Sequence, residues 1–286
     1  MNPRLNKAAT LGFYNCDLNK VYNINKFDID DPHSPDNVTN TKNFVLLREH
    51  LGTNSGAKKI LEVGCAKGHF LSIAQKAGHD VYGVELNSKN ADIARSRVGD
   101  RIYEQDIFEL ALATDSFDVI YSRDLIEHIH NPDEFLREIS RILKTDGILF
   151  FETHNIESLA NCIVKEKHTV IFGFEHPVHW SPKTLSNALA RHQIFHEKTY
   201  FESKDFTLKK ILKYYLASTF TTVYRWEAPK KRQFLIKCLI KFLNLPIIKT
   251  IDDKLIPLLA NFLGRGSTMK LVARKHTKKD ISYVEK

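Results

Sequence analysis

An apolar run at residues 59–63 leads directly into a turn that contains Gly64 and Gly68, and a helical pattern follows the turn. Glycines in such a turn let a ligand approach the backbone, and the first N–H groups of the helix point towards it. A second apolar run ends at Val84, and the Glu85 carboxylate after it can accept hydrogen bonds from both hydroxyls of a ribose. The sequence therefore predicts a β-α-β unit that binds a nucleoside.

Strands and helices continue to alternate after this unit, which predicts an α/β fold. The predicted strands are residues 59–63, 81–84, 101–103, 117–121, 148–151, 194–201 and 269–273. A helix is predicted from Asn40 to Leu51, ended by Gly52, and a turn is predicted at Asp146 and Gly147. Because parallel strands joined by helices follow a right-handed crossover rule, the prediction is a Rossmann-like, doubly wound, mostly parallel seven-stranded sheet. The domain prediction is an N-terminal arm at 1–39, a sheet domain at 40–204 plus 265–280, and a basic helical insert at 205–264 before the last strand.

The glycine turn departs from the dinucleotide fingerprint G-x-G-x-x-G, because Ala66 lies between Gly64 and Gly68, and this disfavours NAD. Residues 60–68, 84–85, 105–107 and 117–120 together resemble the class I S-adenosylmethionine-dependent methyltransferases, in the order and spacing of that family. The resemblance runs from about residue 40 to 200 and resumes at 265. It implies S-adenosylmethionine as the cofactor, although the family usually carries glycine where Ala66 stands.

The resemblance also implies which residues surround the methionine part of the cofactor. Those at the glycine turn are Glu62, Gly64, Cys65 and Gly68, and those after the fourth strand are Ser122 and Arg123. An alternative interpretation of Arg123 is an ordinary surface cation.

The nucleoside part is assigned by the same resemblance. Glu85 is implied for the ribose, Leu86 flanks the adenine, and Asp106 accepts the adenine amino group near the Ile107 N–H. The alternative for Asp106 is a cap on a short helix.

His128 is the best-placed candidate general base, because it follows the fourth strand at the carboxyl edge, where ligands of such sheets bind. Residues 123–130 resemble the ubiquinone-pathway O-methyltransferases, some of which bind a divalent cation through an acid-x-x-acid-His pattern. Asp124, Glu127 and His128 match that pattern, but two carboxylates and one imidazole do not specify an ion. We therefore assign no metal, and a structural role for Glu127 and His128 stays open.

A second histidine cluster, His176 and His179, lies in an aromatic-rich segment. Residues 179–185 resemble a segment of methyltransferases that act in the assembly of cell-surface sugars and lipid-linked glycans, which implies a role in acceptor binding or catalysis. Against this, Ser181 and Pro182 form a good N-cap and first-turn pair, so the segment is equally well explained as the start of a helix.

The net charge of +8 is confined to the C-terminal part of the chain. Residues 1–200 carry 23 Lys and Arg against 27 Asp and Glu, whereas residues 201–250 carry 11 against 3. Basic amphipathic helices are predicted within residues 207–223 and 230–243. Such helices are typical either of contact with an anionic membrane or of a lid packed on the sheet or on a second subunit. The sequence leaves open whether the protein forms a homodimer. Binding to nucleic acid is not expected, since the first 200 residues are net negative.

Four cysteines without a C-x-x-C pair indicate reduced thiols. The sequence shows neither a signal peptide nor an 18-residue apolar window, so we expect a cytoplasmic protein, with peripheral contact on the inner face of the membrane as an option. We expect O-methylation of a small or lipid-linked acceptor. N- or C-methylation of a small metabolite, or cofactor binding without turnover, are the alternatives.

Overall fold

The computed structural model describes residues 33–52, 56–164, 176–203, 207 and 245–276 of the 286-residue chain. These residues fall into two compact units. The first takes the described residues within Met1–Phe151, Ser186–Lys198 and Val272–Lys286. The second takes those within Glu152–Leu185 and Thr199–Leu271.

The described strands are β1 Lys59–Val63, β2 Asp80–Val84, β3 Ile102–Tyr103, β4 Phe117–Arg123, β5 Leu143–His154, β6 Ile194–Glu202 and β7 Thr268–Lys275. The described α-helices are α1 Pro35–Leu51, α2 His69–Lys76, α3 Ser88–Val98, α4 Pro132–Ile142, α5 Leu159–Val164, α6 Pro182–Ala190, α7 Pro246–Thr250 and α8 Ile256–Phe262. A 3₁₀ turn covers Ile126–His128, and a π-helix, Ile251–Leu255, joins α7 to α8.

The strands form one seven-stranded sheet in the order β3-β2-β1-β4-β5-β7-β6. β1 pairs in parallel with both β2 and β4, and β2 pairs in parallel with β3. The sheet is mostly parallel, with antiparallel strands near the end of the chain, and this confirms the predicted Rossmann-like fold. Because β1, β2 and β4 are parallel neighbours, their carboxyl ends lie at one edge of the sheet, where ligands of such folds bind.

The core of the first unit forms where apolar strands meet helix faces. Ile60 and Leu61 of β1 are fully buried, as expected for a central parallel strand. Phe70 of α2 stacks on Tyr121 of β4 with ring centroids 3.9 Å apart. The buried Tyr121 hydroxyl accepts a hydrogen bond of 2.7 Å from the Asn43 side-chain amide, which attaches α1 to the centre of the sheet.

Two predicted boundaries are wrong. α1 begins at Pro35 instead of residue 40, because Ser34 caps the helix by accepting the Asn37 N–H at 3.2 Å and Pro35 suits the first turn. The predicted arm at 1–39 is therefore helical from residue 35, and residues 1–32 lie outside the described part. β5 begins at Leu143, before the turn predicted at Asp146 and Gly147, and it accommodates a positive φ of 60° at Asp146 without ending.

The predicted insert at 205–264 is only partly described. Its described stretch from residue 245 contains α7, the π-helix and α8, which agrees with the predicted helical character. The helices predicted within residues 207–223 and 230–243 lie outside the described residues, except for residue 207.

Candidate functional site

The loop between β1 and α2 is held against the end of β2. The N–H groups of Gly64 and Cys65 both donate to the Val84 carbonyl, at 2.9 and 3.0 Å. Gly64 and Gly68 have φ values of 77° and 72°, a region that glycine enters at little cost. Their positions in the turn are thus fixed by backbone conformation.

Glu85 connects this loop to the start of α3. One carboxylate oxygen, Oε2, accepts the Ala66 N–H at 2.8 Å, and Oε1 accepts the Asn87 N–H at 2.7 Å. Burial raises the pKa of Glu85, and these backbone hydrogen bonds oppose that rise. Each carboxylate oxygen can accept more than one hydrogen bond, so the oriented Glu85 carboxylate has capacity left for the hydroxyls of a ribose.

Glu62 is the most strongly perturbed carboxyl group at this edge. It is buried at 5% exposure, and its pKa is raised well above the usual value by desolvation. The nearby Arg123 guanidinium opposes the rise, while the Glu85 charge adds to it. Glu62 Oε2 and Ser122 Oγ are buried and have no hydrogen-bond partner among the described residues. Such buried polar atoms are costly unless a ligand satisfies them.

Arg123, the last residue of β4, links the site to α1. Its guanidinium donates to Asn40 Oδ1 at 3.1 Å and to Asp36 Oδ1 at 3.0 Å. The side chain keeps 20% exposure, so the cation is accessible as well as anchored. The surface-cation interpretation of Arg123 is too simple, because the residue is partly buried and contacts a second element.

The polar groups at the turn fit the cofactor that the resemblance implies. A Cβ added at Gly64 would make ordinary van der Waals contact with the Leu125 side chain, whose nearest atoms lie at 3.5 Å, so a side chain here would fill the space beside Leu125. α2 has Gly68 as its N-cap, without a side-chain cap, which leaves its first N–H groups available. Together with Glu62, Ser122 and Arg123, these donors and acceptors suit the amino and carboxylate groups of a methionine moiety.

Cys65 has a packing role at this site. It is 3% exposed, and a Cβ added at Gly83 comes within 2.7 Å of its Sγ, so the thiol fills the space above that glycine. Burial, followed by the Glu62 and Glu85 charges, raises the pKa of the Cys65 thiol. The thiol is therefore protonated at neutral pH and is unsuited to nucleophilic chemistry.

Asp106 and Ile107 follow β3, as predicted. Asp106 Oδ1 accepts the Phe108 N–H at 3.3 Å, so the carboxylate stabilises its own turn, as the capping alternative expects. Ile107 is buried at 3% exposure. Their contact with adenine stays a prediction, as does that of Leu86.

His128 ends the 3₁₀ turn, and its N–H donates to the Leu125 carbonyl at 2.9 Å. Its side chain is partly exposed, whereas Glu127 is buried at 2% exposure. Asp124, Glu127 and His128 do not form a group whose three ligand atoms all lie within 4.8 Å of one another in the described structure. The metal-binding alternative for these three residues stays a prediction.

The second histidine cluster belongs to the second unit. The ring of His176 lies 5.3 Å, centroid to centroid, from that of His154, and His179 is partly exposed. Ser181 caps α6: its Oγ accepts the Thr184 N–H at 3.2 Å, and its own N–H donates to Thr184 Oγ1 at 2.9 Å. The capping interpretation of this segment is confirmed, and catalytic roles for His176 and His179 stay predictions.

The sequence interpretation missed several residues that position the site. Asn87 caps α3 by accepting the Asn90 N–H at 3.1 Å, and Arg97 donates to the Lys67 carbonyl at 2.7 Å. Asn87 carried a usable signal, because asparagine directly before a helical pattern is a typical N-cap. Arg97 carried none, since its contact with the loop is made across 30 residues of chain.

Known proteins are similar in sequence to part of this chain. Residues 39–194 match the family model described as a methyltransferase domain. The chain is 31% identical over 136 residues to a ubiquinone biosynthesis O-methyltransferase of Actinobacillus pleuropneumoniae, a match that covers 44% of the chain and 56% of the relative. A protein of the same description from Pelagibacter ubique is 28% identical over 128 residues, covering 43% of the chain and 51% of the relative. The chain thus spans about half the length of the curated relatives that it matches.

Solved structures support the fold. A SAM-dependent methyltransferase from Archaeoglobus fulgidus aligns with a TM-score of 0.52 and 17% identity, covering 82% of this chain and 94% of that one. One from Mesorhizobium loti aligns with a TM-score of 0.51 and 20% identity, covering 81% and 97%.

Proposed function

Because the chain belongs to the class I S-adenosylmethionine-dependent methyltransferases, we propose that it transfers the methyl group to a hydroxyl of a small or lipid-linked acceptor. We propose oxygen as the methylated atom because part of the chain matches relatives described as ubiquinone biosynthesis O-methyltransferases. The position of His128, directly after β4 and partly exposed, provides the base that a hydroxyl acceptor requires.

Bound S-adenosylmethionine supplies an electrophilic methyl group on a sulfonium centre. We assign the ribose hydroxyls to Glu85, which the Ala66 and Asn87 N–H groups hold in place. The buried Glu62 and Ser122 oxygens, which lack described partners, are the acceptors for the ammonium group. The Arg123 guanidinium, oriented by α1, would hold the carboxylate. These contacts would position the cofactor for an in-line displacement, and positioning is the main contribution in such a reaction.

In this proposal His128 acts as the general base. Its imidazole would accept the proton of the acceptor hydroxyl as that oxygen takes the methyl group from the sulfonium, which would leave as a neutral thioether. Histidine is the side chain most often used as a general base. Removal of a general base typically costs about a hundredfold or more in rate.

The test compares His128→Ala with His130→Ala, a control of the same type two residues along the chain. Acceptor extracts of lipids and small phenols are incubated with methyl-labelled cofactor, and labelled products are identified by mass spectrometry. We expect a methyl ether product, and about a hundredfold loss of turnover in His128→Ala with cofactor affinity nearly unchanged. His130→Ala is expected to retain turnover.

Two results contradict the proposal. Full turnover in His128→Ala shows that this residue is not the base. A labelled product in which the methyl group is on nitrogen or carbon shows that the acceptor atom is wrong, while the family assignment stands.

A further inference from the structure

The helical stretch from α7 through the π-helix to α8 exposes its largest apolar side chains. Phe262 is 86% exposed and Leu258 is 66% exposed, values typical of charged residues in a folded protein. We call these side chains the exposed apolar face, and its members are Ile251, Leu255, Leu258, Leu259, Phe262 and Leu263.

The spacing shows that this is one continuous face. Positions 251, 255, 258 and 262 recur at intervals of four, three and four residues, which places them along one side of a helix, and 259 and 263 lie beside them. The buried positions of the same stretch include Asp252 and Ala260, at 2% and 0% exposure. A surface helix normally buries its apolar stripe, so the arrangement here is the reverse of the usual one. Exposed apolar patches of this kind are typical of surfaces that contact a membrane, another protein or a ligand.

Charge identifies the class of partner. In the sequence, the segment 201–250 before this stretch carries 11 Lys and Arg against 3 Asp and Glu, and of the 11 only Lys249 is among the described residues. Within the helical stretch, Lys249 and Lys254 are exposed, as is Asp253. Long basic side chains next to an apolar stripe suit an anionic lipid surface, because the ammonium groups reach the headgroups while the stripe enters the acyl boundary.

We propose that the exposed apolar face is a docking surface for an anionic membrane, lying in the plane of the lipid interface. Among the described residues no helix combines the length and the apolar character needed to cross a bilayer. The inference concerns the second unit alone and does not depend on which acceptor the protein methylates.

The experiment measures cosedimentation of the full chain with vesicles. One set contains phosphatidylglycerol and phosphatidylcholine, and the other contains phosphatidylcholine alone. The test variant is the double substitution Leu258→Ser with Phe262→Ser. The matched controls are Val45→Ser and Ile163→Ser, single substitutions at apolar residues that are 52% and 48% exposed elsewhere in the chain.

We expect the unaltered chain to bind the anionic vesicles at low salt, with binding that weakens as salt is added. The double variant should partition at least about tenfold less, while both controls bind like the unaltered chain. Since all four side chains are exposed, thermal unfolding should be nearly the same in every variant, which separates lost binding from lost folding.

Three outcomes overturn the proposal. The first is equal partitioning of the double variant and the unaltered chain. The second is equal recovery with both kinds of vesicle, which removes the role of lipid charge. The third is no vesicle binding together with a dimer that the double variant abolishes, which makes the face a contact between two copies of this chain.

Discussion

At the scale of single residues, the edge of the sheet assigned to the cofactor contains buried carboxyl groups that are costly to ionise. Glu62 is buried beside Glu85, and desolvation raises the pKa of both carboxyl groups. An ionised Glu62 therefore destabilises the fold, and a ligand that donates a hydrogen bond to its Oε2, which has no partner among the described residues, would offset that cost. Functional sites commonly contain groups of this kind, poorly satisfied until the ligand arrives.

The pH dependence of stability follows from the direction of the Glu62 shift. The ordinary pKa of a glutamate carboxyl is 4.5, and above that pH the unfolded chain has lost the Glu62 proton while the folded chain still holds it. The free energy of unfolding should thus fall as pH rises above that value, by up to about 1.4 kcal/mol per pH unit for one group. Glu62→Gln should remove this part of the slope in urea denaturation between pH 5 and 8.

Glu109→Gln, at an exposed carboxyl group, is the matched control and should leave the slope unchanged. If Glu62→Gln unfolds with the same pH dependence as the unaltered chain, Glu62 is not the buried acid that the structure describes.

Site residues could be predicted from the sequence where the local chain conformation determines their position. Gly64 and Gly68 have positive φ, and Glu85 follows a strand, so sequence patterns indicated all three. Asp36 and Asn40 reach Arg123 across 87 and 83 residues of chain, and no local pattern records such a contact. Long-range hydrogen bonds that orient a charged group are therefore the part of the site that sequence reasoning missed.

At the scale of elements, α1 connects the start of the described chain to the cofactor edge through Arg123. The sequence indicated where this helix ends, at Leu51 before Gly52, but not where it begins. Ser34 and Pro35 are compatible with a loop as well as with a cap. The buried residues of this helix include the polar Thr39, Asn40 and Asn43, and the sequence pattern does not record such tertiary burial. The central strands were predictable because each is a short apolar run with a turn signal at its end.

Ser34→Ala tests the cap of α1. Losing the hydrogen bond to the Asn37 N–H should lower the free energy of unfolding by about 1 kcal/mol in urea titration. Thr41→Ala, at an exposed residue of the same helix, is the control and should change stability by no more than about 0.5 kcal/mol. Equal stability of Ser34→Ala and the unaltered chain contradicts the assigned helix start.

At the scale of the whole molecule, the residues assigned to the cofactor belong to the first unit and the exposed apolar face belongs to the second. No residue of the exposed apolar face is assigned to the cofactor, so Leu258→Ser with Phe262→Ser should leave cofactor binding unchanged. All of the residues assigned to the cofactor lie within the mildly acidic residues 1–200.

The most direct test is calorimetric titration of the purified chain with S-adenosylmethionine. We predict measurable binding that weakens at least tenfold, about 1.4 kcal/mol, in both Glu85→Ala and Gly64→Val. The matched controls are Glu109→Ala at an exposed acid and Gly56→Val, where an added Cβ meets nothing within 4 Å, and both should bind normally. Circular dichroism confirms that each variant is folded, and Glu85→Gln repeats the test with a neutral group of the same shape. Undiminished affinity in folded Glu85→Ala, Glu85→Gln and Gly64→Val contradicts the assigned cofactor site.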